Sequence, residues 1–157
     1  MKLFLAGALV ALTAIPVAAE VKQKHYVIAD WQVWIDPIDP IEILFVGRNQ
    51  YERDQFLSGD DVEIVAFASD EDAVSLLGLP ALVVEVTGTH SCEEGDARAY
   101  YVLTFADAPA LEGPVTTCKA LTVSFAPELI TLEESPGSDE GEFWAWARGK
   151  GFGTQIP

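Results

Sequence analysis

The residues with the clearest capacity for chemistry are the only two cysteines of the chain, Cys92 and Cys118. A redox pair usually has two residues between its cysteines, whereas 25 residues separate these two. A structural zinc site takes four ligands, and the only histidines that could join the cysteines are His25 and His90. Two distant cysteines in a chain with an export signal, described below, indicate a structural crosslink. We therefore predict a disulfide between Cys92 and Cys118, no metal site and no cofactor.

Catalysis by a serine or cysteine nucleophile has little support, because such a nucleophile needs a general base within reach. His90 stands next to Ser91, but neighbouring side chains on an extended chain point to opposite sides. The chain also lacks a G-x-S-x-G elbow, an H-E-x-x-H motif and a phosphate-binding glycine loop. We predict no catalytic residue. A hydrolase with paired carboxylates remains an alternative, since 25 acidic residues offer many pairs.

Three stretches with several acidic side chains are residues 36–42, 60–63 and 70–72. Calcium binds about six to eight oxygen atoms, usually from one compact loop. No D-x-D-x-D-G loop is present in the sequence. Solvated turns account for the first two stretches, and the third stands where acids favour the start of a helix. We therefore predict no calcium site.

The four tryptophans lie in the first and last predicted strands, as Trp31, Trp34, Trp144 and Trp146. Trp144 and Trp146 are two residues apart and so share one face of their strand. We expect this pair to pack in the core, which is where large aromatic side chains are mostly found. The alternative is an exposed aromatic contact face for a sugar, a peptide or a protein partner.

The elements that must position these residues are mostly strands. Runs rich in β-branched, aromatic and other apolar residues predict strands over residues 25–35, 41–46, 62–68, 81–89, 98–106, 121–125, 129–132 and 142–148. The stretch from Ser69 to Leu77 predicts a short helix with Ser69 as its cap. Asn49 and Glu52 have the spacing of a helix start, which would place a second short helix in residues 48–57.

Strands that follow one another through short turns favour an antiparallel arrangement. We predict a mainly β, single-domain antiparallel sandwich or barrel-like fold of seven or eight strands with one or two short helices. This domain would cover residues 20–157, with a loose C-terminal tail from about residue 149 that contains three glycines.

The N-terminus has the three-part pattern of a secretory signal peptide. Lys2 supplies a positive charge, residues 3–15 are mostly apolar, and Pro16 is followed by small residues up to Ala19. The apolar run is shorter than the roughly 20 residues that a membrane-spanning helix needs. We predict cleavage near Ala19, so that the mature protein is periplasmic or secreted and not inserted in a membrane.

The formal net charge of −16 limits the partners that the protein can attract. The negative electrostatic field of such a charge repels phosphate groups, which argues against nucleic acid and anionic membrane surfaces as partners. We predict a neutral or basic protein, or a small ligand, as the partner. The expected function is that of a small exported acidic protein that serves as a non-catalytic binding or interaction module. The alternatives are the carboxylate-based hydrolase and a structural accessory of the cell envelope.

Overall fold

The computed structural model describes residues 23–68, 71, 75–134 and 141–154. The predicted signal peptide, with its cleavage point near Ala19, lies outside the described residues, as does Ser69, the predicted helix cap. Ser75 and Leu76 of that predicted helix are described and are helical. No helix in the described part of the chain has the length and hydropathy needed to cross a bilayer.

The described residues form twelve strands. These are β1 (Lys24–Ile28), β2 (Trp31–Ile38), β3 (Ile41–Asn49), β4 (Glu52–Gly59), β5 (Val62–Ala68), β6 (Ala81–Thr87), β7 (Arg98–Phe105), β8 (Pro109–Thr117), β9 (Thr122–Ala126), β10 (Leu129–Glu133), β11 (Phe143–Ala147) and β12 (Gly151–Gly153). Every pair of neighbouring strands is antiparallel and consecutive in the sequence. They form a first sheet (β1–β4), a middle sheet (β5–β8) and a third sheet (β9–β12).

The middle sheet contributes to two hydrophobic cores, one on each face. On β6, Leu82 and Val84 belong to the core shared with the first sheet, where Leu44 and Val46 of β3 are also buried. Val83 points the other way, into the core shared with the third sheet. Because successive side chains of a strand alternate between its faces, a strand between two cores must be apolar at nearly every position.

The second core is built around the largest fully buried side chain, that of Trp146 on β11. It packs with Tyr100 and Val102 of the middle sheet and with Ile130 and Leu132 of β10. The three antiparallel sheets confirm the mainly β, antiparallel class predicted from the sequence.

The number of strands is larger than the seven or eight predicted, and local turns explain part of the difference. The predicted strand at residues 25–35 is two strands, because Ala29 adopts a left-handed φ of 51° and reverses the chain. The short helix predicted in residues 48–57 is absent, since that segment pairs as β4. The Asn49 side chain accepts hydrogen bonds from the backbone N–H groups of Tyr51 and Glu52, and these close a hairpin turn instead of starting a helix.

Two further strands occupy segments for which no strand was predicted. Residues 107–114, for which no strand was predicted, include the start of β8, which pairs with β7 through a register shift. The predicted loose tail contains β12, which pairs with β11 and places Phe152 opposite Trp146. A bulge and a three-residue strand leave little periodicity in the sequence, and this accounts for the missed strands.

Candidate binding cleft

The predicted disulfide between Cys92 and Cys118 is present, with the two Cα atoms 5.7 Å apart. It joins the connection between β6 and β7 to the residue that follows β8. Gly95 makes this approach possible, because its φ is 82° and a Cβ atom there would collide with the carbonyl oxygen of Cys118. A crosslink of this kind is consistent with an oxidising location.

The two histidines occupy separate parts of the fold. His25 on β1 stacks on Trp34, with ring centroids 5.4 Å apart, and contacts the side-chain oxygen of Gln32 at 3.2 Å. His90 lies beside the disulfide, with Nε2 3.7 Å from the sulfur of Cys92. Each ring thus has an ordinary packing or polar partner.

The acidic residues of the stretch 36–42 have separate roles. Asp36 forms an ion pair with Arg53 at 2.8 Å. Glu42 lies 3.7 Å from the Lys24 ammonium and accepts the backbone N–H of Val62 at 2.9 Å. Asp39 is exposed. Asp36 and Glu42 therefore join strands within the first sheet, and Glu42 also connects that sheet to the start of β5.

An acidic cleft of about 630 Å³ lies near the disulfide. Asp60, Asp61 and Glu85 are among its lining residues. Arg98 neutralises part of it by pairing with Glu85 and with Asp96, the second contact being 3.1 Å long. The buried carboxylate of this cleft is thereby satisfied inside the protein.

The Trp144 and Trp146 pair lies within the second core. The Trp146 side chain is only 1% exposed, and its indole nitrogen Nε1 donates a hydrogen bond to Glu112 at 2.9 Å. Trp144 is partly buried against the same core. An aromatic contact face would need exposed rings. The burial of Trp146 and the partial burial of Trp144 favour the interpretation that the pair packs in the core.

Another cleft measures about 820 Å³ and is larger than the acidic cleft beside the disulfide. Its walls are the helical residues Ser75 and Leu76, the turn between β9 and β10, and the turn between β11 and β12. Arg148 and Lys150 of the last turn line it, and we name it the Arg148 cleft after the first. This volume lies within the range of small-molecule sites.

Two backbone features hold the walls of the Arg148 cleft together. The N–H of Glu128 donates to the carbonyl of Leu76 at 2.8 Å, so that the turn after β9 is tied to the helical residues. Gly78 has a φ of 74°, and a Cβ atom there would lie 3.1 Å from Nη1 of Arg148. Glycine at this position therefore lets the Arg148 side chain approach the wall closely.

The cations of the Arg148 cleft differ from the other basic residues that the structure describes. Five described basic side chains are paired with carboxylates, in the pairs Lys24–Glu42, Arg48–Asp30, Arg53–Asp36, Arg98–Glu85 and Lys119–Glu134. Within the described residues, Arg148 and Lys150 have no carboxylate at ion-pair distance. Arg148 donates a long hydrogen bond of 3.5 Å to the carbonyl of Gly78. Both cations are exposed and so are available to a ligand.

The remaining lining of the Arg148 cleft is mostly apolar. Leu76, Pro127, Leu129 and Ala147 contribute to it, and Leu76 and Leu129 are partly exposed. Glu128 is the only carboxylate among the described residues that line the cleft. The cleft thus presents two cations, one anion and an apolar surface within one concave space.

Neither this cleft nor its lining residues were predicted from the sequence as a site. No family model, curated protein or solved structure matches the chain. The described residues form an antiparallel β structure with three sheets, two hydrophobic cores and an amphipathic cleft.

Proposed function

We propose that this chain is an exported, non-catalytic binding protein whose ligand occupies the Arg148 cleft. The observation that carries the proposal is the pair of cations, Arg148 and Lys150, that lack a described carboxylate partner in a strongly acidic chain. Unpaired cations beside an apolar wall are suited to an anionic group attached to an apolar body.

The ligand should nevertheless be neutral as a whole, because the net charge of −16 repels molecules that are anionic overall. A zwitterion meets both conditions. Its carboxylate would contact Arg148 and Lys150, and its ammonium would contact Glu128 across the same cleft. A short apolar peptide has these two charged ends and hydrophobic side chains for Leu76 and Leu129. We therefore propose short apolar peptides as the class of ligand.

The composition of the cleft favours binding over hydrolysis. A hydrolase that uses paired carboxylates needs two of them on opposite sides of the scissile bond. Among the described lining residues only Glu128 supplies one. The proposal of a binding module therefore fits this cleft better than the hydrolase alternative does.

Calorimetric titration with the dipeptide Leu-Leu tests the proposal. Leu-Leu amide, which lacks the carboxylate, and N-acetyl-Leu-Leu, which lacks the ammonium, are the matched probes. A hydrogen bond to a charged group contributes about 1.5–3 kcal/mol, so each blocked peptide should bind about 10- to 100-fold more weakly. Absence of binding of Leu-Leu at millimolar concentration would rule the proposal out.

Charge substitutions locate the site. Arg148→Gln should weaken binding of Leu-Leu by about tenfold and leave the weak binding of Leu-Leu amide unchanged, since the amide lacks the group that Arg148 contacts. Lys119→Gln is the matched control, because it removes the same charge from a residue that is exposed and paired with Glu134. Equal losses in the two variants would mean that only the overall charge matters, which contradicts a site in the cleft.

Export rests on the predicted signal peptide and is supported by the disulfide. Intact-mass analysis of protein recovered from the producing cells should give a chain that begins at Glu20. A mass that includes Met1 in the exported fraction would contradict this part of the proposal.

A further inference from the structure

The region around the disulfide contains three side chains that can bind a metal ion. The ligand atoms of His90, Cys92 and Cys118 all lie within 4.8 Å of one another. The two sulfur atoms are joined in a disulfide, and a metal ion of the zinc type binds the thiolate form of cysteine. From this arrangement we infer that reduction of the disulfide creates a zinc-binding site formed by His90, Cys92 and Cys118.

The geometry of His90 is already suitable for this role. In tetrahedral zinc sites the Zn–S and Zn–N distances are about 2.3 Å and 2.0 Å, so neighbouring ligand atoms stand about 3.5 Å apart. Nε2 of His90 lies 3.7 Å from the sulfur of Cys92. These two ligands therefore need little movement, and the main change is rotation of the Cys118 side chain away from Cys92.

Thr89 supports the orientation of the His90 ring. Its hydroxyl oxygen lies 3.1 Å from Nδ1 of His90. In the tautomer whose Nδ1–H donates to this hydroxyl, Nε2 keeps its lone pair directed at the sulfur atoms. Histidines that bind metals are held in this way, with the second nitrogen bonded to an orienting group. Two thiolates and one imidazole form a soft donor set that favours zinc.

The chemistry balances with a dithiol as reductant. The dithiol breaks the Cys92–Cys118 bond and becomes a cyclic disulfide, and its two protons end on the protein thiols. Zn²⁺ then replaces both protons and also binds His90, which leaves one coordination position for water. In both states the connection after β6 stays linked to the end of β8, first by the covalent bond and then by the metal.

Titration with Co²⁺, a spectroscopic substitute for zinc, tests the inference on the full mature chain. The protein is reduced with a dithiol, freed of the reductant without oxygen, and compared with the oxidised protein. The reduced protein should show thiolate-to-cobalt charge-transfer absorption that Zn²⁺ abolishes, and the oxidised protein should show none. Absence of this absorption in reduced protein would overturn the inference.

Two histidine variants separate a three-ligand site from a pair of thiolates. Loss of an orienting partner alone costs about 10- to 100-fold in metal affinity, so His90→Gln should weaken Co²⁺ binding at least about tenfold. His25→Gln is the matched control and should bind Co²⁺ as the natural sequence does, since His25 lies on β1. Equal affinity of the His90→Gln variant and the natural sequence would refute the role of His90.

Folding of the reduced chain provides a second readout. Tryptophan emission reports whether the fold is intact, because Trp34 and Trp146 are both buried in the native structure. If reduction unfolds the protein, addition of Zn²⁺ should restore the native emission in the natural sequence and in His25→Gln, but not in His90→Gln. Failure of Zn²⁺ to restore the natural sequence would also overturn the inference.

Discussion

The indole nitrogen of Trp146 donates a hydrogen bond to the carboxylate of Glu112 across 2.9 Å, and this bond links β11 of the third sheet to β8 of the middle sheet. The rest of the Trp146 side chain is buried among apolar residues of the second core. One residue thus combines a large apolar contact with a satisfied polar group between two sheets.

Substitution of Trp146 should therefore reduce stability strongly. Trp146→Ala should lower the free energy of unfolding by about 3–5 kcal/mol, because it leaves a cavity in a closely packed core. Urea denaturation followed by circular dichroism measures this as a lower midpoint at unchanged slope. Trp144→Ala is the control and should cost less, since Trp144 keeps part of its surface exposed. Equal stability of the Trp146→Ala variant and the natural sequence would contradict the position of Trp146.

The disulfide should contribute substantially to stability. The sequence separation of Cys92 and Cys118 is 26, and the loop-entropy description assigns such a crosslink about 3.5 kcal/mol. The double variant Cys92→Ala, Cys118→Ala should lose about that amount in urea denaturation, without leaving a reactive thiol. Thiol labelling of unreduced protein in denaturant checks the crosslink directly, and labelling at both cysteines would disprove it.

Tyr100 should give the protein a specific sensitivity to alkaline pH. Burial, together with a hydrogen bond to Glu85, raises the pKa of Tyr100 from 10.0 to about 12. The Tyr100 hydroxyl also accepts the backbone N–H of Leu121 at 3.0 Å. Between pH 10 and 12 the unfolded chain has lost this proton while the folded chain keeps it. The stabilisation is therefore complete below pH 10 and is lost as the pH rises through 12.

Between pH 10 and 12 the free energy of unfolding should fall with pH in the natural sequence, because the unfolded chain binds one proton fewer. Tyr100→Phe should remove this fall. The difference between the phenolate absorbance titrations of the natural sequence and the variant should have its midpoint near pH 12. Tyr101→Phe is a useful comparison, because Tyr101 is next to Tyr100 in the sequence and burial raises its pKa as well. A difference titration for Tyr100 centred at pH 10 would contradict its burial.

Much of the β framework could be predicted from local patterns. On β6 the alternation of Leu82, Val83 and Val84 assigns side chains to two faces, and the structure places them in two different cores as the alternation indicates. The segment that forms β4 was not predictable in the same way. Asn49 can accept backbone N–H groups at a helix start or in a hairpin turn, and only pairing with β3 decides between them.

The candidate cleft depends still more on tertiary structure. The residue types of Arg148 and Lys150 are visible in the sequence, but whether a carboxylate lies beside a basic residue depends on tertiary contacts, as the five described ion-paired basic residues show. The wall at Leu76 is more than fifty residues from Glu128, with which it shares a backbone hydrogen bond. Sequence periodicity carries no information about contacts of that separation. The disulfide was predictable because the chain has only two cysteines.

Glu128 lies in a turn with a strained backbone conformation and also supplies the carboxylate of the proposed ligand contact. It follows Pro127 in the two-residue turn between β9 and β10, and its φ is 63°. A proline followed by a residue with positive φ is typical of a type II turn, where glycine is favoured at the second position. A side chain in this left-handed region costs about 1–2 kcal/mol. The presence of glutamate at a position suited to glycine is consistent with a role for its carboxylate in the Arg148 cleft.

Two substitutions at Glu128 separate these effects. Glu128→Gly should be more stable than Glu128→Ala by about 1 kcal/mol in urea denaturation, because only glycine adopts the positive φ without strain. Both variants lack the carboxylate, so both should bind Leu-Leu about tenfold or more weakly than the natural sequence, as a lost charge-assisted contact predicts. N-acetyl-Leu-Leu, which has no ammonium, should bind all three proteins alike. Loss of Leu-Leu binding in the alanine variant but not in the glycine variant would show that turn geometry, and not the carboxylate of Glu128, determines affinity.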